Sequence, residues 1–325
     1  MKKIYKNIII SIVFCMISLG LSACGTVVKE NDKINIVCAT FPEYDWCRNI
    51  IGDCDSINLI LLVNNGVDIH SFQPSTDDIV TLSNCDMVIY GGGESEEWID
   101  DIIAQSNKKD IKIIKLMDEI GDNVVVEEIV EGMETDEEDD EHSEEVENDE
   151  HIWLSIKNSI ILCNSISSYL CEIDEENKEI YIKNKEYYVS LLNKLDEEYK
   201  SVINESKYDT IIVGDRFPLV YLFKDYSINY FAAFVGCSAE TEASFETVTF
   251  LANKLSELNL PAVLVIEGSD CKFANTIVES SSVKDAKILE FNSMQSITEN
   301  DINAGKTYIS IMEQNLESIR QALND

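Results

Sequence analysis

Histidine is scarce in this sequence, where only three of 325 residues carry an imidazole. His70 lies in the loop NNGVDIHSFQPSTDDI, after a predicted strand at 57–63, and His151 lies just before a predicted helix in DEHIWLSIKNSI. Open α/β sheets bind ligands at the carboxyl ends of their strands, and neutral imidazoles suit a transition metal. A single loop histidine is more often incidental, so the prediction of a metal site depends on the pair.

Two carboxylates end predicted strands in the second half of the chain. Asp215 follows the strand 210–213 in TIIVGDRF, and Glu267 ends the apolar run in PAVLVIEGSD. Asp215 could equally cap the helix that follows it. Glu267 needs a protein partner or a metal, because an unpaired buried charge is costly.

The elements that position these residues alternate between strands and helices. Short apolar runs separated by amphipathic segments predict an α/β fold with parallel sheets. Residues 175–206 contain no Gly or Pro and carry apolar residues at helical spacing, which predicts a helix about 45 Å long. We expect it to join an N-terminal lobe at 34–174 to a C-terminal lobe at 207–325. The alternative is a helix that packs along one domain only.

The N-terminus resembles a bacterial lipoprotein signal. Three lysines precede the apolar run 8–19, and the tetrapeptide Leu-Ser-Ala-Cys ends at Cys24. We expect residues 1–23 to be the signal peptide, Cys24 to be lipidated, and 24–33 to be a tether. The protein would then be anchored to the outer face of the cell membrane. An ordinary secretory signal that ends near a cysteine is the alternative.

The formal net charge of −36 argues against nucleic-acid and anionic-lipid partners. The tract 127–150 holds 15 acids and no Lys or Arg, and we expect it to be a disordered loop that includes His142. Cysteine forms no C-x-x-C pair. Most of the cysteines after Cys24 lie in apolar runs, so buried free thiols are favoured over disulfides, with Cys47–Cys54 the one short-range alternative.

Five motifs in order give the chain a family resemblance. They are TFPEYDWCRNIIGD, GVDIHSFQPSTDDIVTLSNCDMVIYGGGESEEWID, HIWLSIKN, FVGCSAETEASFETV (around Glu242) and AGKTYISIMEQNLESI. Together they resemble the solute-binding lipoproteins of zinc- and manganese-importing ABC transporters. The resemblance implies two α/β lobes, a bridging helix, one metal in the cleft and a membrane permease as partner. It implies a monomeric receptor and no catalysis.

The resemblance implies that His70 and His151 are metal ligands. In the second lobe, the sequence departs from the family pattern. The usual His or Glu falls at Gly214, and the usual Asp falls near Gln295, so Asp215 becomes the natural substitute, with Glu267 second. Zinc leads as the ion and manganese is the alternative. A surface adhesin with a structural metal and an exported metallohydrolase are the alternatives from other classes. Motifs such as H-E-x-x-H and G-x-S-x-G are absent from the sequence.

Overall fold

Two four-stranded parallel sheets organise the chain, which the computed structural model describes at residues 33–134, 147–237 and 244–324. The first sheet contains β1 (Ile34–Cys38), β2 (Ile57–Leu61), β3 (Met87–Tyr90) and β4 (Lys112–Lys115). The second contains β5 (Thr210–Phe217), β6 (Asn229–Val235), β7 (Ala262–Ile266) and β8 (Lys287–Phe291). Their orders, β2-β1-β3-β4 and β6-β5-β7-β8, repeat one topology and confirm the predicted α/β class.

Helices follow the strands along the described chain. Those of the first half are α1 (Phe41–Ile51), α2 (Thr76–Asn84), α3 (Glu97–Gln105), α4 (Leu116–Ile120) and α5 (Ile156–Ile173). The next is α6 (Lys178–Asn204). Those of the second half are α7 (Val220–Tyr226), α8 (Phe245–Leu258), α9 (Lys272–Ser280), α10 (Glu299–Asn303) and α11 (Tyr308–Asn324). No helix among these is long and apolar enough to cross a membrane.

The long helix α6 joins the two halves. It has 27 residues, about 40 Å, and packs against α1 and α5 from the first half and α7 and α11 from the second. Its buried face carries aromatic and aliphatic side chains at helical spacing, namely Tyr181, Tyr188, Leu192, Leu195 and Tyr199. One continuous hydrophobic cluster includes strand residues from both sheets. The two lobes therefore share a core along this helix, which makes the connection rigid.

A buried carboxylate reinforces that connection. Asp45 on α1 is fully buried and pairs with Arg48. Its Oδ2 accepts hydrogen bonds from the Tyr308 backbone N–H at 3.0 Å and from the Tyr188 hydroxyl at 3.2 Å. One carboxylate thus connects α1, α6 and the first turn of α11.

The structure revises two sequence expectations. Strand β5 does not end at Val213 but continues through a bulge to Phe217, because Arg216 and Phe217 still pair with β6. The predicted disorder of 127–150 does not extend over the ends of that tract, where Glu127 N donates to Glu147 O at 2.9 Å. The tract's centre with His142, and the N-terminal segment with Cys24, lie outside the described residues. The eight cysteines within the described ranges are all free, and four of them are buried.

Candidate metal site

His70 is held at the carboxyl edge of the first sheet. A 3-10 turn, Ile69–Ser71, begins after Asp68, whose Oδ1 accepts from the His70 backbone N–H at 3.0 Å. The loop enters this turn through Gly66, whose φ of 77° favours glycine. A Cβ at Gly66 would also lie 3.0 Å from Thr298 Cγ2 of the second half. The His70 loop therefore lies directly against the second lobe.

His151 is fully buried and fixed by one carboxylate. Asp149 Oδ1 accepts from the His151 backbone N–H at 2.9 Å and lies 3.2 Å from Nδ1. The ring also meets Trp153 edge-on, with centroids 5.4 Å apart, and the Trp153 indole N–H donates to Ser293 O at 2.8 Å. Carboxylate contact at Nδ1 leaves Nε2 as the nitrogen that faces the cleft.

The two imidazoles meet at their Nε2 atoms. The His70 Nε2 to His151 Nε2 distance is 3.2 Å, and His70 Nδ1 lies 2.7 Å from Ser95 Oγ on its other side. A tetrahedral zinc ion with Zn–N bonds of 2.0–2.1 Å places two ligand nitrogens about 3.3 Å apart. The pair is therefore already spaced as two ligands of one ion.

The pKa values of the two imidazoles shift in opposite directions. Burial and the adjacent charge of His151 lower the pKa of His70 to about 4. Burial lowers the pKa of His151 too, but Asp149, Glu150 and Asp68 outweigh it, and the net direction is upward. The low pKa of His70 keeps its imidazole neutral and able to bind a metal ion, and a metal ion at His151 Nε2 would displace any proton that this nitrogen carries.

Cys237 joins the two histidines from the second lobe. It follows Gly236 at the carboxyl end of β6, and one ligand atom from each of His70, His151 and Cys237 lies within 4.8 Å of the others. Burial and then the charges of Glu127, Asp149 and Glu150 raise the pKa of this thiol. Sequence reasoning missed this residue. The rule that singled out Asp215 and Glu267, a ligand-type residue at a strand's carboxyl end, would have found it after the run 228–234.

Asp215 lies on β5 rather than after it. Its Oδ1 accepts from the Arg216 backbone N–H at 2.9 Å, and it is not part of the His70–His151–Cys237 group. The bulge between Val213 and Arg216 changes which side chain faces the cleft. As a result Arg216 reaches the first lobe and forms an ion pair with Asp68 at 2.8 Å.

A side chain at position 214 would point away from the cleft. A Cβ built there would lie 3.0 Å from Val263 Cγ1 and 3.1 Å from Ala274 Cβ, between the sheet and α9. Position 214 therefore faces the core of the second lobe. A His or Glu at this position would not meet His70 and His151, because the backbone directs its side chain to the opposite side.

Glu267 finds partners within the protein. Its oxygens accept from Ser293 N at 2.7 Å, Ser293 Oγ at 2.8 Å and Gln295 N at 3.2 Å. These bonds satisfy the partly buried carboxylate that the sequence left without a partner. Burial raises the pKa of Glu267, and the donated hydrogen bonds oppose that shift. Its position secures the loop that follows β8.

That loop carries Gln295 to the site. With its amide oriented to satisfy both neighbours, Gln295 donates to Asp68 at 2.8 and 2.9 Å and accepts from His151 Nε2 at 2.8 Å. Asp68 therefore holds the His70 turn, Arg216 and Gln295 together. The family resemblance placed Gln295 near the usual Asp ligand, and the structure adds Asp68 as its partner.

A second buried acid lies behind His70. Glu150 accepts from Ser95 N at 2.9 Å and lies 3.8 Å from His70 Nδ1. Nearby Glu96 is buried, and its pKa is raised to about 8 by burial and by the charges of Glu43 and Glu150. The first lobe thus surrounds the imidazole pair with negative or protonatable groups.

Known proteins that are similar to this chain include zinc-binding and metal-transport lipoproteins. A family model described as ZnuA, zinc-uptake complex component A periplasmic, matches residues 36–322. The chain is 29% identical over 307 residues to zinc-binding lipoprotein AdcA of Streptococcus pneumoniae, a match that covers 94% of this chain. It covers 58% of that relative, so the chain spans little more than half the length of the first curated relatives it matches.

Another relative and one solved structure match over most of their length. The metal ABC transporter substrate-binding lipoprotein ScbA of Streptococcus cristatus is 28% identical over 317 residues, covering 94% of this chain and 95% of that protein. The crystal structure of the Zn(II)-bound ZnuA-like domain of Streptococcus pneumoniae AdcA aligns with a TM-score of 0.70 and 26% identity. That alignment covers 90% of this chain and 100% of the domain.

Proposed function

We propose a function from one established premise: the chain belongs to the family of the periplasmic zinc-uptake complex component A. The protein is an extracytoplasmic receptor that binds one zinc ion between its two lobes and delivers it to the permease of an ABC importer. Zinc is its cargo, and the protein carries out no catalysis on it. The names of the relatives, zinc-binding lipoprotein and metal ABC transporter substrate-binding lipoprotein, support this proposal.

The imidazole pair is the observation that carries the proposal. His70 and His151 come from separate loops, 81 residues apart, yet their Nε2 atoms face each other at 3.2 Å. Both rings are fixed from behind, His70 by Ser95 and His151 by Asp149. Such preorganisation lowers the cost of binding, since the ligands do not have to be ordered by the ion.

Zinc capture in this proposal uses the imidazole pair and the acids beside it. The ion binds both Nε2 atoms, any proton on these nitrogens leaves to solvent, and Asp149 keeps the His151 ring in orientation. The buried carboxylates of Asp149 and Glu150 attract a dication to this pocket. His70 and His151 are the first-lobe ligands in this proposal, while Asp215 and Glu267 stay predictions that the geometry does not favour.

The remaining features of the receptor are proposals from the sequence. Cys24 would carry the lipid that anchors the protein to the outer face of the membrane. The family supports a permease partner, and the rigid connection through α6 suits a receptor that presents its ion as a monomer.

Isothermal titration calorimetry of the metal-stripped protein tests the function. We expect one zinc ion per chain with a submicromolar Kd, and much weaker binding of manganese under the same conditions. Tighter binding of manganese than of zinc would indicate the manganese receptor instead. A protein that binds neither ion would refute the receptor function.

A further inference from the structure

The second lobe needs a metal ligand that the family pattern does not supply here. Position 214 faces the core, and Arg216, which reaches the cleft from β5, is a cation already paired with Asp68. Gln295 offers a neutral amide oxygen beside His151 Nε2. Two neutral imidazoles and an amide leave the charge of a dication uncompensated, so an anionic donor is expected.

We infer that Cys237 is that donor and binds zinc as a thiolate, so that the site is completed by His70, His151 and Cys237. This inference rests on the proposed function. The three ligand atoms lie within 4.8 Å of one another, and no other group of three His, Cys, Asp or Glu side chains in the described ranges has a metal-binding arrangement. When the Zn–S bond forms, the thiol S–H bond breaks and its proton passes to solvent.

The packing around Gly236 brings Cys237 to the histidines. A Cβ at Gly236 would lie 2.9 Å from Phe217 O, 3.1 Å from His151 Cε1 and 3.2 Å from Asp149 Oδ2. The backbone next to Cys237 therefore lies directly against the His151 ring, an approach that only glycine allows. This close contact keeps the Cys237 Sγ atom near the place where an ion would bind His151.

An unpartnered buried oxygen is a second sign of a cation at this place. Asp149 Oδ2 is buried and accepts no hydrogen bond from any described residue. It belongs to the carboxylate that contacts His151 Nδ1, and it lies beside Gly236. A carboxylate behind a ligating histidine is the usual second shell of a zinc site. Its negative charge is compensated once a dication binds at Nε2.

Glu127 positions Cys237 from the first half of the chain. Its Oε1 accepts from the Cys237 backbone N–H at 3.0 Å. Glu127 belongs to a two-stranded ribbon in which Glu127 N donates to Glu147 O and Asp149 N donates to Val125 O, both at 2.9 Å. The same ribbon thus carries Asp149, which orients His151, and Glu127, which holds Cys237. One local structure therefore sets the spacing between the two proposed ligands, His151 and Cys237.

The ligand set makes a clear choice among metals. A tetrahedral site with Zn–N near 2.0–2.1 Å and Zn–S near 2.3 Å separates nitrogen and sulfur by about 3.6 Å, so each of these distances must shorten by at most about 1.2 Å from the 4.8 Å limit. A thiolate is a soft ligand that favours zinc and disfavours manganese. Gln295 or a water molecule can fill the fourth position.

Cobalt(II) is the probe that tests the inference, because a thiolate bound to cobalt gives a near-ultraviolet charge-transfer band. We expect the metal-stripped full chain to show this band at one equivalent of cobalt, and Cys237→Ser to lose it while its zinc Kd rises about 10- to 100-fold. Cys271→Ser, a partly buried cysteine of the same lobe, is the control and should match the wild type.

Each outcome has a distinct meaning. A Cys237→Ser protein that keeps the band, or keeps wild-type zinc affinity, overturns the ligand assignment. A wild-type chain that binds zinc without a thiolate band overturns it as well and leaves the receptor function intact. A wild-type chain that binds neither zinc nor cobalt overturns the receptor function, and the inference with it.

The positioning role of Glu127 has its own test. Glu127→Gln keeps an acceptor oxygen and should retain the cobalt band, whereas Glu127→Ala should weaken the band and raise the zinc Kd about tenfold. Circular dichroism checks that both variants are folded. If folded Glu127→Ala keeps the full band and affinity, Glu127 does not position the thiol.

Discussion

The two lobes share one topology but prepare their halves of the site in different ways. In the first lobe a buried carboxylate and a hydroxyl fix two imidazoles whose Nε2 atoms lie 3.2 Å apart. In the second lobe Cys237, Arg216 and Gln295 reach the cleft from three strand ends and are held by hydrogen bonds to loops. The repeated sheet order therefore places candidate ligands at the same edge of each sheet, and local contacts decide which residues can bind the metal.

The largest effect is expected from the first-lobe ligands. His151→Ala and His70→Ala should each raise the zinc Kd by roughly 100-fold or more, since a zinc site distributes its binding energy of about 10–16 kcal/mol over few ligands. Calorimetry on the metal-stripped variants measures the loss. Wild-type affinity in either variant would remove that residue from the site.

Asp149→Asn should have the next largest effect. The neutral amide of this variant holds the Nδ1 of His151 less strongly than the carboxylate does. Loss of a carboxylate behind a metal-binding histidine typically lowers metal affinity by about 10- to 100-fold. Competition of the variant with a chromogenic zinc chelator gives its Kd. An unchanged Kd would show that the His151 ring is oriented by Trp153 packing alone.

Glu267→Gln tests the corresponding, partly buried carboxylate of the second lobe. Because Glu267 acts on the site through the Ser293–Gln295 backbone, we expect the zinc Kd to rise by about tenfold or less. The same chelator assay allows direct comparison with Asp149→Asn. A loss as large as that of His70→Ala would instead identify Glu267 as a ligand.

Glu96→Gln tests the buried acid near Glu150 through its effect on stability. The pKa of Glu96 in the fold, about 8, lies above its ordinary value, so its contribution to stability is complete below about pH 4.5 and is lost as the pH rises through 8. Relative to Glu96→Gln, the free energy of unfolding of the wild type should fall by up to about 1.4 kcal/mol per pH unit across this range.

Urea unfolding of the metal-free proteins between pH 5 and about pH 8 measures this slope. Glu313→Gln, at an exposed position of α11, is the control and should follow the wild type at every pH. Parallel pH profiles for wild type and Glu96→Gln would show that Glu96 is ionised throughout.

The smallest effect is expected from Asp215→Asn. Asp215 bonds only to the neighbouring backbone N–H among the hydrogen bonds described, and the bulge directs Arg216 rather than Asp215 toward Asp68. We expect a zinc Kd within about twofold of the wild type. A loss of tenfold or more in calorimetry would restore Asp215 as a ligand and would bring the second lobe closer to the family pattern.

The sequence by itself determined the class of fold and the first-lobe half of the candidate site. Strand–helix alternation and the Gly-free and Pro-free run at 175–206 are local patterns, so hydrophobic periodicity is enough to find them, whereas the order of the two histidine motifs was recognised by the family resemblance. The rule that ligands gather at strand carboxyl ends predicted the position of His70 at the cleft.

Only the tertiary structure decided how the second lobe faces those histidines. A single bulge in β5 brings Arg216 rather than Asp215 to the cleft, and the backbone at Gly214 points into the core. The loop after β8 supplies the partners of Glu267, and Cys237 meets His151 through Gly236. These outcomes depend on strand register and long-range packing, which cannot be read directly from the order of residues along the chain.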